Sequence, residues 1–119
     1  MTTMIQTSTS VYNLGPVSSI PLGEGRSFLV DDLVVAVFHT RGGEVFATQS
    51  TCTHKGGPLA DGLIGAGKLI CPLHAYKFEL ATGQPLGHTC AALKTYPVSV
   101  SEMGDILLST ESLVREEQS

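Results

Sequence analysis

Apolar positions along this chain come in short runs, separated by clusters of turn residues. Val11–Leu14 is the first run, ended by Gly15-Pro16. Arg26–Val30 and Leu33–His39 flank Asp31-Asp32, the length of a tight hairpin connection. Arg41-Gly42-Gly43 then turns the chain into Glu44–Thr48, where Val45 and Ala47 face one way and Glu44, Phe46 and Thr48 the other. Lys68–Ile70 forms a short strand, and Tyr76–Leu80 another, closed by Ala81-Thr82-Gly83-Gln84. Thr95–Ser101 and Ile106–Ser109 read as a last hairpin around Glu102-Met103-Gly104-Asp105. No segment sustains a helical period. The pattern predicts an all-β antiparallel sandwich or barrel over residues 11–109, with two special loops at one end. Met1–Ser10 is expected to be a flexible N-terminal arm. Residues 110–119 are expected to be a tail, with weak helical character from Glu111 onward.

Composition supports a single domain. The 119 residues are 42% hydrophobic and only 15% charged, with 13 Gly and 6 Pro, as suits a turn-rich β domain. Seven Lys+Arg against 11 Asp+Glu give a net charge of −4, and no basic stretch exists. That argues against nucleic acid and against an anionic membrane surface as partners. The longest apolar run, Leu33–Phe38, is far short of the ~20 residues a membrane span needs. The Thr/Ser-rich N-terminus lacks the basic and apolar regions of a secretory signal, so the expected location is cytoplasmic. Three cysteines, an odd count, imply no disulfide framework.

The middle of the chain holds the chemistry. One loop reads Cys52-Thr53-His54-Lys55-Gly56-Gly57-Pro58-Leu59, and a second reads Cys71-Pro72-Leu73-His74. The pattern is Cys-x-His, sixteen intervening residues, then Cys-x-x-His. Each loop thus supplies one thiolate and one imidazole. A [2Fe–2S] cluster has two irons, each taking two protein ligands, so the cysteines can serve one iron and the histidines the other. Gly56 and Gly57 let the backbone approach and aim N–H groups at sulfur. A structural zinc site takes the same four ligands, so spacing alone leaves both metals open.

The paired loops, at 52–59 and 71–76, resemble those of the Rieske family, and the likeness extends over roughly residues 11–109. The resemblance implies a β-sandwich with a small cluster-binding subdomain formed by the two loops, and one [2Fe–2S] cluster. It implies that Cys52 and Cys71 bind an inner iron and His54 and His74 an outer one near the surface. Pro58 and Leu59 match the family's pattern after the first loop, and Tyr76 and Phe78 the aromatic residues after the second. Rieske proteins of cytochrome bc complexes carry a second cysteine in each loop, joined as a disulfide. Here Gly57 and Leu73 stand in those places, so no such bridge is expected, nor the membrane anchor those proteins have. Ala75 stands where many relatives have Gly.

These departures point to the soluble ferredoxin-like branch, an electron-transfer component of an oxidoreductase rather than a catalyst by itself. Cys90–Val98, with its Leu-Lys-Thr-Tyr-Pro-Val run, looks like the small subunit of assimilatory NAD(P)H nitrite reductase, which implies a role in nitrate assimilation beside a large reductase subunit. The ferredoxin of an aromatic-ring dioxygenase system, with an oxygenase or reductase partner, is the alternative. A zinc-stabilised interaction module and a redox-silent scaffold for a larger reductase are more distant ones.

Other candidate residues have plainer readings. Cys90 has no His at motif spacing and reads as a small buried hydrophobe. His88 reads as a loop or surface residue, and His39 as a satisfied histidine at a strand end. Lys55 is expected to be a solvated charge beside a ligand. Tyr76 either hydrogen-bonds near a ligand sulfur or packs over the centre. Asp61 and Glu79 show no pairing suited to acid–base work. Leu73 and Ala75 bring no hydrogen-bonding side chains to the second loop, which predicts a reduction potential in the low part of the ~−150 to ~+300 mV range of Rieske centres.

Overall fold

A computed structural model describes residues 7–30, 32–51, 58–71, 76–87 and 91–113. Its strands are β1 (Thr7–Pro16), β2 (Glu24–Val30), β3 (Leu33–His39), β4 (Val45–Gln49), β5 (Leu63–Gly65), β6 (Lys68–Ile70), β7 (Lys77–Glu79), β8 (Pro85–Leu86), β9 (Thr95–Tyr96), β10 (Val98–Val100) and β11 (Asp105–Leu113). Among the described residues the only helical pieces are the 3₁₀ turns Val17–Ser19 and Leu59–Asp61. Among the described residues all strand pairings are antiparallel, in three sheets: β1-β11-β10, β2-β3-β4-β9 and β5-β6-β7-β8.

The middle sheet is covered on both faces, and β3 shows why. Its even positions, Ala36 and Phe38, join a core with Leu59, Leu69, Cys71, Phe78, Leu80 and Leu93. Its odd positions, Val35 and Val37, join a second core with Ile20, Ala47, Ile106 and Leu108. A strand buried on both faces needs an unbroken apolar run, and Val35–Phe38 is that run, while Leu33 and Val34 before it are exposed. Phe46 and Ala47 of β4 divide between the two cores in the same way. Each fully buried large side chain contributes about 1.5–3 kcal/mol, so the small sheet and the outer sheet are both held firmly to the middle one.

Several expectations meet the structure with differences. The β2–β3 hairpin has the predicted pairing, Val30↔Leu33, although Asp31 lies outside the described residues. The first strand begins at Thr7, not Val11, because β11 runs on to Leu113 and the two pair through Thr7↔Leu113. Residues 7–10 are therefore strand where an arm was expected, and 111–113 are strand where weak helix was expected. The predicted strand Thr95–Ser101 is divided. Thr95 and Tyr96 pair with β4, whereas Val98–Val100 pair with β11. Pro97 stands at the crossing, where the absence of an N–H breaks the ladder. The small subdomain, expected as two loops, also carries its own four-stranded sheet. Two of those strands, β5 and β8, are too short and too rich in Gly and Pro to show alternation.

Candidate metal centre

The small subdomain is a single excursion from the middle sheet. The chain leaves at the end of β4 and returns as β9, which pairs with β4 itself through Ala47↔Tyr96 and Thr48↔Thr95. Both candidate ligand loops belong to this excursion, and the structure describes their necks.

The neck of the first loop is closed by backbone pairing. Thr51 bridges Pro58, and the Leu59 N–H donates to the Ser50 carbonyl at 2.9 Å. The second is closed by the Cys71 N–H donating to the Tyr76 carbonyl at 2.7 Å. The necks adjoin because β5 follows the first loop directly and β6 leads into the second, with Leu63↔Ile70 paired between them. Gly62 makes this approach feasible: a Cβ there would collide with the Ile70 carbonyl oxygen.

Cys71 is 1% exposed, set in the apolar wall with Leu69 and Phe78, and Tyr76 packs half-buried against the same core. Leu59, at the exit of the first loop, belongs to that wall too. The two loops therefore spring from one apolar floor, with Cys71 in it. That arrangement fits a cluster whose thiolate side is buried, and the Cys/His donor set matches mixed ligation. Of the four predicted ligands, Cys71 is placed in this way. Cys52, His54 and His74 lie outside the described residues, as do Lys55, Gly56, Gly57, Pro72, Leu73, Ala75, His88 and Cys90.

Two of the other candidate side chains, His39 and Glu79, have ordinary partners. His39 ends β3 almost buried, with Nδ1 2.7 Å from the Ile20 carbonyl oxygen. A carbonyl only accepts, so Nδ1 carries the proton. Glu79 accepts from the Thr82 hydroxyl at 2.6 Å. Burial raises the Tyr96 phenol above its ordinary value. One residue at the neck carried no sequence signal: Gln49, one of four consecutive polar residues from Thr48 to Thr51, whose side chain makes two hydrogen bonds there.

Fold and candidate site together define a class: a small all-β protein with an inserted subdomain whose two loop necks adjoin over one apolar floor. A family profile, the Rieske [2Fe-2S] domain, matches residues 10–97. The chain is 34% identical over 88 residues to the ferredoxin component of the naphthalene 1,2-dioxygenase/salicylate 5-hydroxylase systems of Ralstonia, covering 71% of this chain and 81% of the relative. Among solved structures, the Sphingomonas yanoikuyae B1 ferredoxin superposes with a TM-score of 0.74 at 31% identity, over 85% of this chain and 99% of that one. The NADH-dependent nitrite reductase small subunit of Mycobacterium tuberculosis superposes with a TM-score of 0.82 at 21% identity, over 89% and 99%. The second likeness speaks for the fold alone. The chain belongs to the Rieske [2Fe-2S] family; its cofactor is a [2Fe–2S] cluster, and it transfers electrons through that cluster. Among the described residues no helix is long and apolar enough to cross a membrane.

Proposed function

We propose that this chain is the ferredoxin component of an aromatic-ring dioxygenase system, carrying single electrons from a reductase to a terminal oxygenase in the cytoplasm. The observation that carries this reading is the 34% identity to a dioxygenase ferredoxin across 81% of that relative. In this reading Cys52 and Cys71 hold the inner iron as thiolates, and His54 and His74 hold the outer iron as neutral imidazoles. The buried position of Cys71 supports the inner assignment. When bound, the cluster would supply one-electron chemistry; the apolar floor around Cys71 would shield that thiolate, and His54 and His74 would be the ligands offered to a partner. Neutral imidazoles leave the centre less negative than four thiolates would, which raises its potential above the ~−400 mV of plant-type clusters.

The second reading, a nitrite reductase small subunit acting in nitrate assimilation, is favoured by the Leu93–Val98 run, which resembles that subunit's. Reoxidation kinetics separate the two. Reduced protein is mixed with a naphthalene-type terminal oxygenase and, separately, with a nitrite reductase large subunit. Rapid reoxidation by the oxygenase alone is expected; reoxidation by the large subunit alone reverses the proposal. Electron paramagnetic resonance of the dithionite-reduced protein tests the ligands. A rhombic signal with average g below that of all-cysteine clusters is expected, and a colourless, zinc-loaded protein would overturn the assignment.

A further inference from the structure

The excursion that carries both ligand loops leaves and re-enters the middle sheet at one point, and Gln49 stands there. Its backbone N–H donates to the Lys94 carbonyl at 2.9 Å, and its side-chain Oε1 accepts from the Lys94 N–H at 2.8 Å. Its side-chain Nε2 donates to the Thr51 carbonyl at 2.7 Å. These partners settle the orientation of the amide, since an N–H requires the oxygen and a carbonyl requires the NH₂. Lys94 is itself anchored, because the preceding Leu93 is buried in the core and its N–H donates to the Gly83 carbonyl at 2.8 Å. Thr51 is the residue before Cys52. Gln49 therefore ties the entry of the first ligand loop to the returning strand through one rigid planar group.

Only a residue with both a donor and an acceptor at this reach can do so. Glu would set an oxygen against the Thr51 carbonyl, Asn is a methylene shorter, and Met offers no comparable donor.

We infer that Gln49 is a positioning residue for the cluster. By closing the neck, it holds Thr51, and with it the backbone entering Cys52, at a set distance from the core. The inference rests on the assignment of Cys52 as a ligand.

The test uses the cluster-loaded protein and two variants. Gln49→Glu keeps the bond from the Lys94 N–H and loses the one to Thr51; Gln49→Met loses both. Three quantities are read: the line shape of the reduced resonance signal, the reduction potential, and the rate of cluster loss to a ferrous chelator after dithionite reduction. Gln49→Met is expected to lose its cluster roughly threefold to tenfold faster, as one or two hydrogen bonds imply. Its signal should broaden and its potential should move. Gln49→Glu should fall between wild type and Gln49→Met. Wild-type signal, potential and release rate in both variants would overturn the inference. So would a lowered melting temperature with all three unchanged, which would make the clamp a scaffold brace only. Cys52→Ser serves as the control: an unaltered signal in that variant removes the ligand assignment itself, whereas loss of the signal beside a silent Gln49 series removes only the positioning role.

Discussion

Ala66 and Gly67 join β5 to β6 with φ of 51° and 77°, the two positive values of a tight hairpin turn. Gly67 adopts its value without cost, but Ala66 pays for a Cβ in the left-handed region. Its side chain is exposed and Asn tolerates this conformation, so Ala66→Asn is expected to stabilise the protein by about 0.5–1 kcal/mol, seen as a higher urea midpoint. Tyr96 gives a pH dependence. Burial raises its phenol above 10.0, so the folded state holds that proton more tightly than the unfolded chain. The associated stability is fully present below pH 10.0 and is lost as pH climbs through the raised value. Urea midpoints should therefore fall above pH 10.0 in wild type, and this part of the fall should be absent in Tyr96→Phe. Neither feature was legible in the residue types: Ala66 needs the hairpin register, and Tyr96 needs the outer core it packs against.

At the level of elements, β3 separates two cores with different duties. Phe78 belongs to the core that includes Cys71, and Ile106 to the one under the outer sheet. Ile106→Val is expected to cost about 0.5–1.5 kcal/mol in urea unfolding while leaving the cluster's resonance signal and release rate as in wild type. Phe78→Leu, at a comparable cost of up to about 1.5 kcal/mol, should speed cluster loss, because it loosens the floor beneath the loops. Equal cluster effects from both would show that the cores are not separable. The β2–β3 hairpin could be read from its apolar runs because its partners are neighbours in sequence. β5 and β8 could not, since two or three residues cannot display a period. The division of Thr95–Ser101 could not either: Pro97 marks a break, but only the position of β4 and β11 says that the halves go to different sheets.

For the molecule as a whole, the expected reduction potential follows from what the loops lack. Gly57 and Leu73 exclude a loop–loop disulfide, and Leu73 and Ala75 add no hydroxyl to the second loop. Protein-film voltammetry is expected to place the centre low in the ~−150 to ~+300 mV range, and a value above about +100 mV would contradict this. Replacing His54 or His74 by Ala should abolish the resonance signal while the far-ultraviolet circular dichroism of the sheets persists, because the middle and outer sheets share a core of their own.

The candidate donor set and the all-β class are legible in one dimension. Two Cys/His pairs at matched spacing, each in a Gly/Pro-containing loop, mark the candidate donor set, and the short apolar runs around them mark an all-β fold. Those signals are local, so they survive in one dimension. How the two loop necks meet is a matter of packing: β9 returns beside β4, Leu63 pairs with Ile70, and Gln49 bonds to Lys94 across a separation of 45 residues. Such partners are chosen by the packing of whole sheets on two shared cores, and no periodicity within either segment records the choice.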